Sequence, residues 1–188
     1  MPTNSIKETK MILFDTETTG LLKPDAVDIA SQPYITEIYC MKTDDNMNKI
    51  GEFYSLVKPP ISIPQEVTAI TGIKDSDLVN APMFSGIYPK LSEFFLGETI
   101  MVAHNLAFDR GMLINELTRI ESQYKFPWPQ THICTAEASI PISGKRFGLA
   151  DLYKLITGHP IKSHHRADAD VLALHTCLKY LIEKGFVV

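Results

Sequence analysis

Met11 to Phe14 is an unbroken apolar run, and at its end the pattern turns polar through Asp15-Thr16-Glu17-Thr18-Thr19-Gly20. Side chains on a strand alternate between faces, so Asp15 and Glu17 point one way and Thr16 the other. Gly20 permits a sharp turn that leaves the strand end open. Farther along, Tyr34 to Met41 alternates around Ile35, Glu37 and Ile38, and Gly51 to Val57 sets Phe53, Ser55 and Val57 against Tyr54 and Leu56. These are two further strands, joined across Thr43-Asp44-Asp45-Asn46, and three successive strands with short connections predict an antiparallel meander. Leu21 to Pro33 has two prolines and no apolar period, the pattern of a long loop.

After Lys58-Pro59-Pro60 the character becomes helical. Short helices are predicted over 65–71 and 75–78, with Gly72 between them, and Pro82 and Pro89 flank or open a longer segment that runs to about Leu96. The apolar run from Thr99 to Ala103 predicts a strand buried on both faces of a parallel sheet. The helix after it places Leu106, Leu113, Leu117 and Ile120 on one stripe, with Asp109 at the stripe's edge. Pro127-Trp128-Pro129 marks a loop in which Trp128 packs across a surface. His132 to Thr135 reads as a last strand, followed by a helix to about Ile140 and an amphipathic helix over 147–157 that Gly158 and Pro160 stop. The final helix is predicted from near His165 to Lys184, ended by Gly185. On it Asp170 shares a face with Leu174, Cys177, Leu178 and Leu181, whereas Asp168 lies almost opposite, near His175 and Lys179.

Composition adds bounds. With 188 residues, 45% apolar and 21% charged, the chain is expected to form one domain over 1–188, residues 1–9 being flexible. No apolar run approaches the roughly 20 residues of a membrane span, and the polar start lacks the apolar centre of a signal peptide. A cytoplasmic location without membrane contact is expected. Cys40, Cys134 and Cys177 are odd in number and far apart, which predicts reduced thiols and neither a disulfide nor a zinc site. A net charge of −4 argues against a broad basic surface for long nucleic acid, so a phosphate partner would have to be gripped locally.

The candidate chemistry lies in the acids. An isolated Asp-x-Glu is most often a solvated strand end, but two parallel carboxylates closing an apolar run repel each other and are costly to desolvate without a cation. Asp170 on a core-facing stripe poses the same problem, at a cost of several kcal/mol, on the order of a lone buried charge. Asp109 is the fourth acid singled out by direction. Oxygen-only ligands suit Mg²⁺ or Mn²⁺ rather than zinc, and two such ions about 3.5–4 Å apart activate water and stabilise a leaving oxygen on phosphate. His165 has an ordinary pKa near 6.5 and can accept a proton from that water. Its neighbour His164 reads as a capping or surface histidine.

Three segments carry a resemblance. Phe14-Asp15-Thr16-Glu17-Thr18-Thr19-Gly20, His104-Asn105-Leu106-Ala107-Phe108-Asp109 and His165-Arg166-Ala167-Asp168-Ala169-Asp170 resemble the three exonuclease motifs of the DEDDh 3′-5′ exonucleases. That group includes the proofreading epsilon subunit of bacterial replicase, ribonuclease T and oligoribonuclease. Ile63 to Ile73 is similar to the family's connector, in which Gly-Ile follows the helix that approaches the 3′-terminal nucleotide. The resemblance implies a ribonuclease H-like α/β fold with a five-stranded mixed sheet of order 3-2-1-4-5 and helices on both sides. It also implies two Mg²⁺ or Mn²⁺ ions. Asp15, Glu17 and Asp170 would bind the first, Asp15 would also touch the second, and Asp109 would hold the second through water. His165 would be the general base. Thr19, Leu21, Glu66, Ile70 and Thr71 match positions that line the terminal-nucleotide pocket, and His104 and Asn105 of the second motif join them as substrate-binding candidates.

The function this implies is removal of nucleoside 5′-monophosphates from the 3′ end of single-stranded nucleic acid, DNA favoured, in proofreading or repair. RNA or short oligoribonucleotides are the alternative substrates. Association with a DNA polymerase is a further expectation, without a C-terminal tether, because only 18 residues follow Asp170 and they complete the last helix. A catalytically silent nucleic-acid-binding module is the reading from another class, and such a module is expected to lose acids that are all present here. Lys145-Arg146 remains a two-charge surface patch, and Phe147 and Tyr34 suit core packing as well as base stacking.

Overall fold

The computed structural model describes residues 11–24 and 28–187, so the flexible start expected at 1–9 lies outside the described residues. Strands β1 (Met11–Thr18), β2 (Ile35–Thr43) and β3 (Lys49–Leu56) form the predicted meander. Helices α1 (Gln65–Thr71) and α2 (Phe84–Phe95) precede β4 (Ile100–Ala103), and α3 (Leu106–Arg119) leads to β5 (Thr131–Cys134). Two short helices, α4 (Thr135–Ala138) and α5 (Ile140–Ser143), then α6 (Leu149–Thr157) and α7 (Ala167–Glu183), complete the order.

The sheet has the order β3-β2-β1-β4-β5. β1 pairs antiparallel with β2 and parallel with β4, and β4 pairs parallel with β5. β1 is therefore central, and its apolar residues are needed on both faces. Ile12 and Phe14 face α2 and α3, packing with Leu91, Phe95, Met112, Leu113 and Leu117. Leu13 faces the other way, toward α6 and α7, with Leu152, Val171, Leu174, Cys177 and Leu178. Each such large side chain withdrawn from water contributes about 1.5–3 kcal/mol, and this two-sided layer holds the strand rigid.

The structure differs from the pattern reading at several ends. The last helix begins at Ala167 and not near His165, because Ser163 and His165 take φ of 57° and 67°, which no helical residue can. The helix before it starts at Leu149 rather than Phe147, and the one expected to run to Ile140 breaks into two single turns at Ser139. Pro89 lies inside α2 instead of at its start, its missing N–H tolerated while the buried row Phe84, Ile87, Leu91 and Phe95 keeps the helix docked. The connection after β1 contains a turn of 3-10 helix at Ile29–Ser31, started by the Asp28 side chain accepting from the Ser31 N–H at 2.8 Å. Cys40, Cys134 and Cys177 are free thiols, and no described helix is long and apolar enough to cross a membrane.

Candidate active site

The alternation that buries Leu13 against α7 carries Asp15 and Glu17 to the same side, just past the end of the apolar run. There they meet Asp170, in the first turn of α7, whose residue is 5% exposed. Ligand atoms of Asp15, Glu17 and Asp170 lie within 4.8 Å of one another. Among the described residues none of the three is ion-paired to Lys or Arg. The consequence is electrostatic. Burial, then the charges of Asp109, Asp170, Glu17 and Glu37, push the Asp15 carboxyl well above the ordinary carboxylate range. Burial and the same kind of crowding, with Arg166 partly offsetting it, raise Glu17 to about 8.

Asp109 arrives from the opposite layer. It sits in the first turn of α3, 2% exposed, and its Oδ1 accepts from both the backbone N–H and the hydroxyl of Thr16, at 3.0 and 2.8 Å. Burial raises it to about 7 even though the two Thr16 donors pull the other way. Thus the strand residue between the two cavity-facing acids is the one that secures the fourth acid.

The segment before α7 supplies the histidines. His165 is exposed, its N–H donates to Asp170 Oδ2 at 3.1 Å, and its ring stacks on His164 with centroids 3.9 Å apart. Burial, and secondarily the His164 charge, lower the His165 pKa, with Asp170 opposing, so the imidazole is ready to accept a proton near neutrality. The next residue, Arg166, is locked in place. Its Nε and Nη2 reach Glu37 on β2 at 3.1 and 2.6 Å, and the Glu37 carboxylate also accepts from the Ala167 N–H at 3.0 Å and from Tyr54 at 3.0 Å. Glu37 is fully buried and stands directly opposite Glu17 in the sheet register. The start of α7, and with it Asp170, is fixed to β2, the strand paired with the one that carries Glu17.

These groups line a cavity of about 850 Å³. Every candidate read from the sequence borders it: Asp15, Glu17, Asp109, Asp170 and His165, and also Thr19, Leu21, Glu66, Ile70, Thr71, His104 and Asn105. Their freedom to act differs. Leu21 and Ile70 are 78% and 58% exposed, two apolar side chains held open at the rim, and Glu66 in the first turn of α1 is exposed. Thr19 and Thr71 are buried, with their hydroxyls engaged by the Tyr34 N–H and by Val67 O and the Ile73 N–H. His104 spends both ring nitrogens inside the protein, Nε2 on the Phe147 carbonyl at 3.0 Å and Nδ1 on the Thr135 hydroxyl at 2.9 Å. It braces the cavity wall, and burial lowers its pKa. Asn105, exposed, immediately precedes α3 with φ of 69°, a left-handed conformation that asparagine takes more readily than most residues.

Sequence reasoning passed over two residues. Glu37 gave a signal, an acid between Ile35 and Ile38 in a predicted strand. His164, read as a surface or capping histidine, instead places Nδ1 2.7 Å from Asp170 Oδ1, and nothing in its neighbours announced that contact. Lys23, Phe108 and Leu149 also border the cavity.

A model of the exonuclease family matches residues 12–178. The chain belongs to that family. The DNA polymerase III subunit epsilon of Treponema pallidum is 35% identical over 162 residues, covering 84% of this chain and 69% of that protein. A Mycobacterium tuberculosis protein that carries the name of a bifunctional exonuclease/endonuclease is 33% identical over 187 residues. Those cover 96% of this chain, which spans 27% of that relative's length. Among solved structures, the zinc-bound complex of E. coli ExoI with ssDNA matches with a TM-score of 0.76 at 19% identity, over 94% of this chain and 41% of that one. The sheet order and flanking helices of this exonuclease domain are the ribonuclease H-like arrangement of its relatives.

Proposed function

We propose that this chain is a metal-dependent 3′-5′ exonuclease that releases nucleoside 5′-monophosphates from single-stranded nucleic acid, DNA in preference to RNA. The observation that carries it is the meeting of Asp15, Glu17 and Asp170 within 4.8 Å, without a Lys or Arg ion-paired to any of them among the described residues, beside Asp109 and His165 on one cavity. Three carboxyl groups at such spacing with a fourth, Asp109, on the same cavity, two of the four raised to about 8 and about 7, fit hard divalent cations, because the donors are all oxygen and their mutual repulsion calls for positive charge.

Asp15, Glu17 and Asp170 would hold one ion, and Asp15, with Asp109 through water, a second. When bound, such ions lower the pKa of water and neutralise charge on the scissile phosphate. The chain's own residues do the rest. His165, with its lowered pKa and its backbone tied to Asp170, takes the proton of the attacking water. Leu21 and Ile70 offer apolar surface to the terminal base, and Glu66 and Asn105 offer polar groups to the sugar. A net charge of −4 is compatible with a polyanionic substrate only if the grip is local, as here.

The DNA preference is supported by the T. pallidum relative, a DNA polymerase subunit by name, and by the ssDNA of the ExoI complex. The same relative supports docking to a DNA polymerase. The test is incubation with Mg²⁺ or Mn²⁺ and 5′-labelled single strands of DNA and RNA, beside Asp15→Ala and EDTA controls. The expected result is a ladder shortening from the 3′ end, faster on DNA and absent from both controls. Intact strands of both kinds, with cation bound, would overturn the reading in favour of a binding module.

A further inference from the structure

His164 has no part in the mechanism above, yet it makes a short polar contact with a candidate cation ligand. Its Nδ1 lies 2.7 Å from Asp170 Oδ1, and its ring is stacked on His165 at an interplanar angle of 25°. An ionised carboxylate only accepts, so Nδ1 carries the hydrogen of this contact. The other oxygen, Oδ2, accepts from the His165 N–H at 3.1 Å. Consecutive residues of one loop therefore hold both oxygens of Asp170 and set the rotation of its carboxyl group. The loop is built for this at a cost, since Ser163 and His165 both adopt positive φ. Each carboxylate oxygen has two lone pairs and spends one here, so each retains one for a ligand.

We infer that His164 is a positioning residue, which orients the Asp170 carboxylate to receive a divalent cation. The inference rests on the function proposed above. A carboxylate free to rotate has to be ordered when a cation binds, whereas one already fixed by donors on both oxygens does not. Donors behind a ligating group commonly account for about 10- to 100-fold in metal affinity. His164 also braces one face of the His165 ring, so the loop that aims the ligand holds the proton acceptor at the same time.

The experiment is titration of the full chain with Mn²⁺ alone, followed by calorimetry and by the electron paramagnetic resonance of free Mn²⁺, without substrate. Wild type is compared with His164→Ala, His164→Asn and His164→Gln. An asparagine amide reproduces the Nδ1 donor, whereas a glutamine amide falls near Nε2. The expected result is Mn²⁺ affinity about 10- to 100-fold weaker in H164A and H164Q and largely recovered in H164N, with the metal-free melting temperature of H164A close to wild type. Affinity in H164A within about twofold of wild type would overturn the inference. If H164A does not fold, the other two decide: loss in H164Q alone supports the positioning role, and equal affinity in both overturns it. Failure of the wild type to bind Mn²⁺ at all overturns the proposed function, a result distinct from a wild type that binds as tightly as its variants.

Discussion

Thr16 and Asp109 tie the two layers of the fold together at the candidate site. A backbone donor and a hydroxyl from the central strand converge on one carboxylate oxygen of a helix in the opposite layer. Hydrogen bonds to charged groups contribute about 1.5–3 kcal/mol, and they favour the ionised form. Thr16→Val keeps the shape and the backbone donor but removes the hydroxyl. It is expected to lose about 1.5 kcal/mol in urea unfolding at pH 8, and to need a higher pH than wild type for the same Mn²⁺ affinity. An unchanged unfolding midpoint would show that the hydroxyl contributes nothing there.

Stability without metal is expected to fall as pH rises. Glu17 is raised from 4.5 to about 8 and Asp109 from 3.8 to about 7 in the folded chain. A carboxyl with a raised folded pKa favours folding while protonated, so its contribution is complete below the unfolded value and is lost as pH climbs through the folded one. Melting temperatures in EDTA should therefore decline between about pH 5 and pH 8. Added Mn²⁺ should restore more at pH 8 than at pH 5.5, because cations bind the ionised form. Parallel melting curves with and without Mn²⁺ across that range would contradict the crowded-carboxylate account.

Glu37→Ala should be among the most damaging single changes outside the cavity. It strands the Arg166 guanidinium and the Ala167 N–H at the start of α7. Breaking a buried pair costs about 3–5 kcal/mol, and the 40% exposure of the Arg166 side chain places this one at the low end. The double variant Glu37→Met with Arg166→Leu should be closer to wild type than Glu37→Ala, which a double-mutant cycle in urea measures directly.

His165→Ala separates binding from proton transfer. General-base catalysis is worth about 10²–10⁴-fold, so kcat on labelled single strands should fall by that order while Mn²⁺ affinity stays within a fewfold. The His165 N–H that holds Asp170 belongs to the backbone and survives the substitution. Turnover near the wild-type rate at neutral pH would remove His165 from the role of base.

The order of elements and the directions of Asp15, Glu17 and Asp170 were legible because they follow from local periodicity, whereas the full strand order of the sheet was implied by the resemblance of the three motifs. A period of two places Asp15 and Glu17 together whatever the strand packs against, and the 3.6-residue period turns Asp170 inward once Leu174 and Leu178 are buried. What the linear chain does not contain is which elements face one another. The contact of Thr16 with Asp109 spans 93 positions and that of Glu37 with Arg166 spans 129. The loop after β1 showed no pattern, yet Arg119 on α3 donates to the carbonyls of Ile29, Gln32 and Pro33 and lies over the Tyr34 ring, so its order comes from another element. His164 is the sharpest instance. Two adjacent histidines have equivalent local signals, and only the left-handed backbone at His165, imposed by the way the loop returns to α7, turns one ring onto Asp170 and stacks the other beside it. Periodicity decided which faces are apolar and which acids point inward. Long-range packing decided which partners those acids meet, because a hydrogen bond across the sheet depends on two backbones whose separation no local preference encodes.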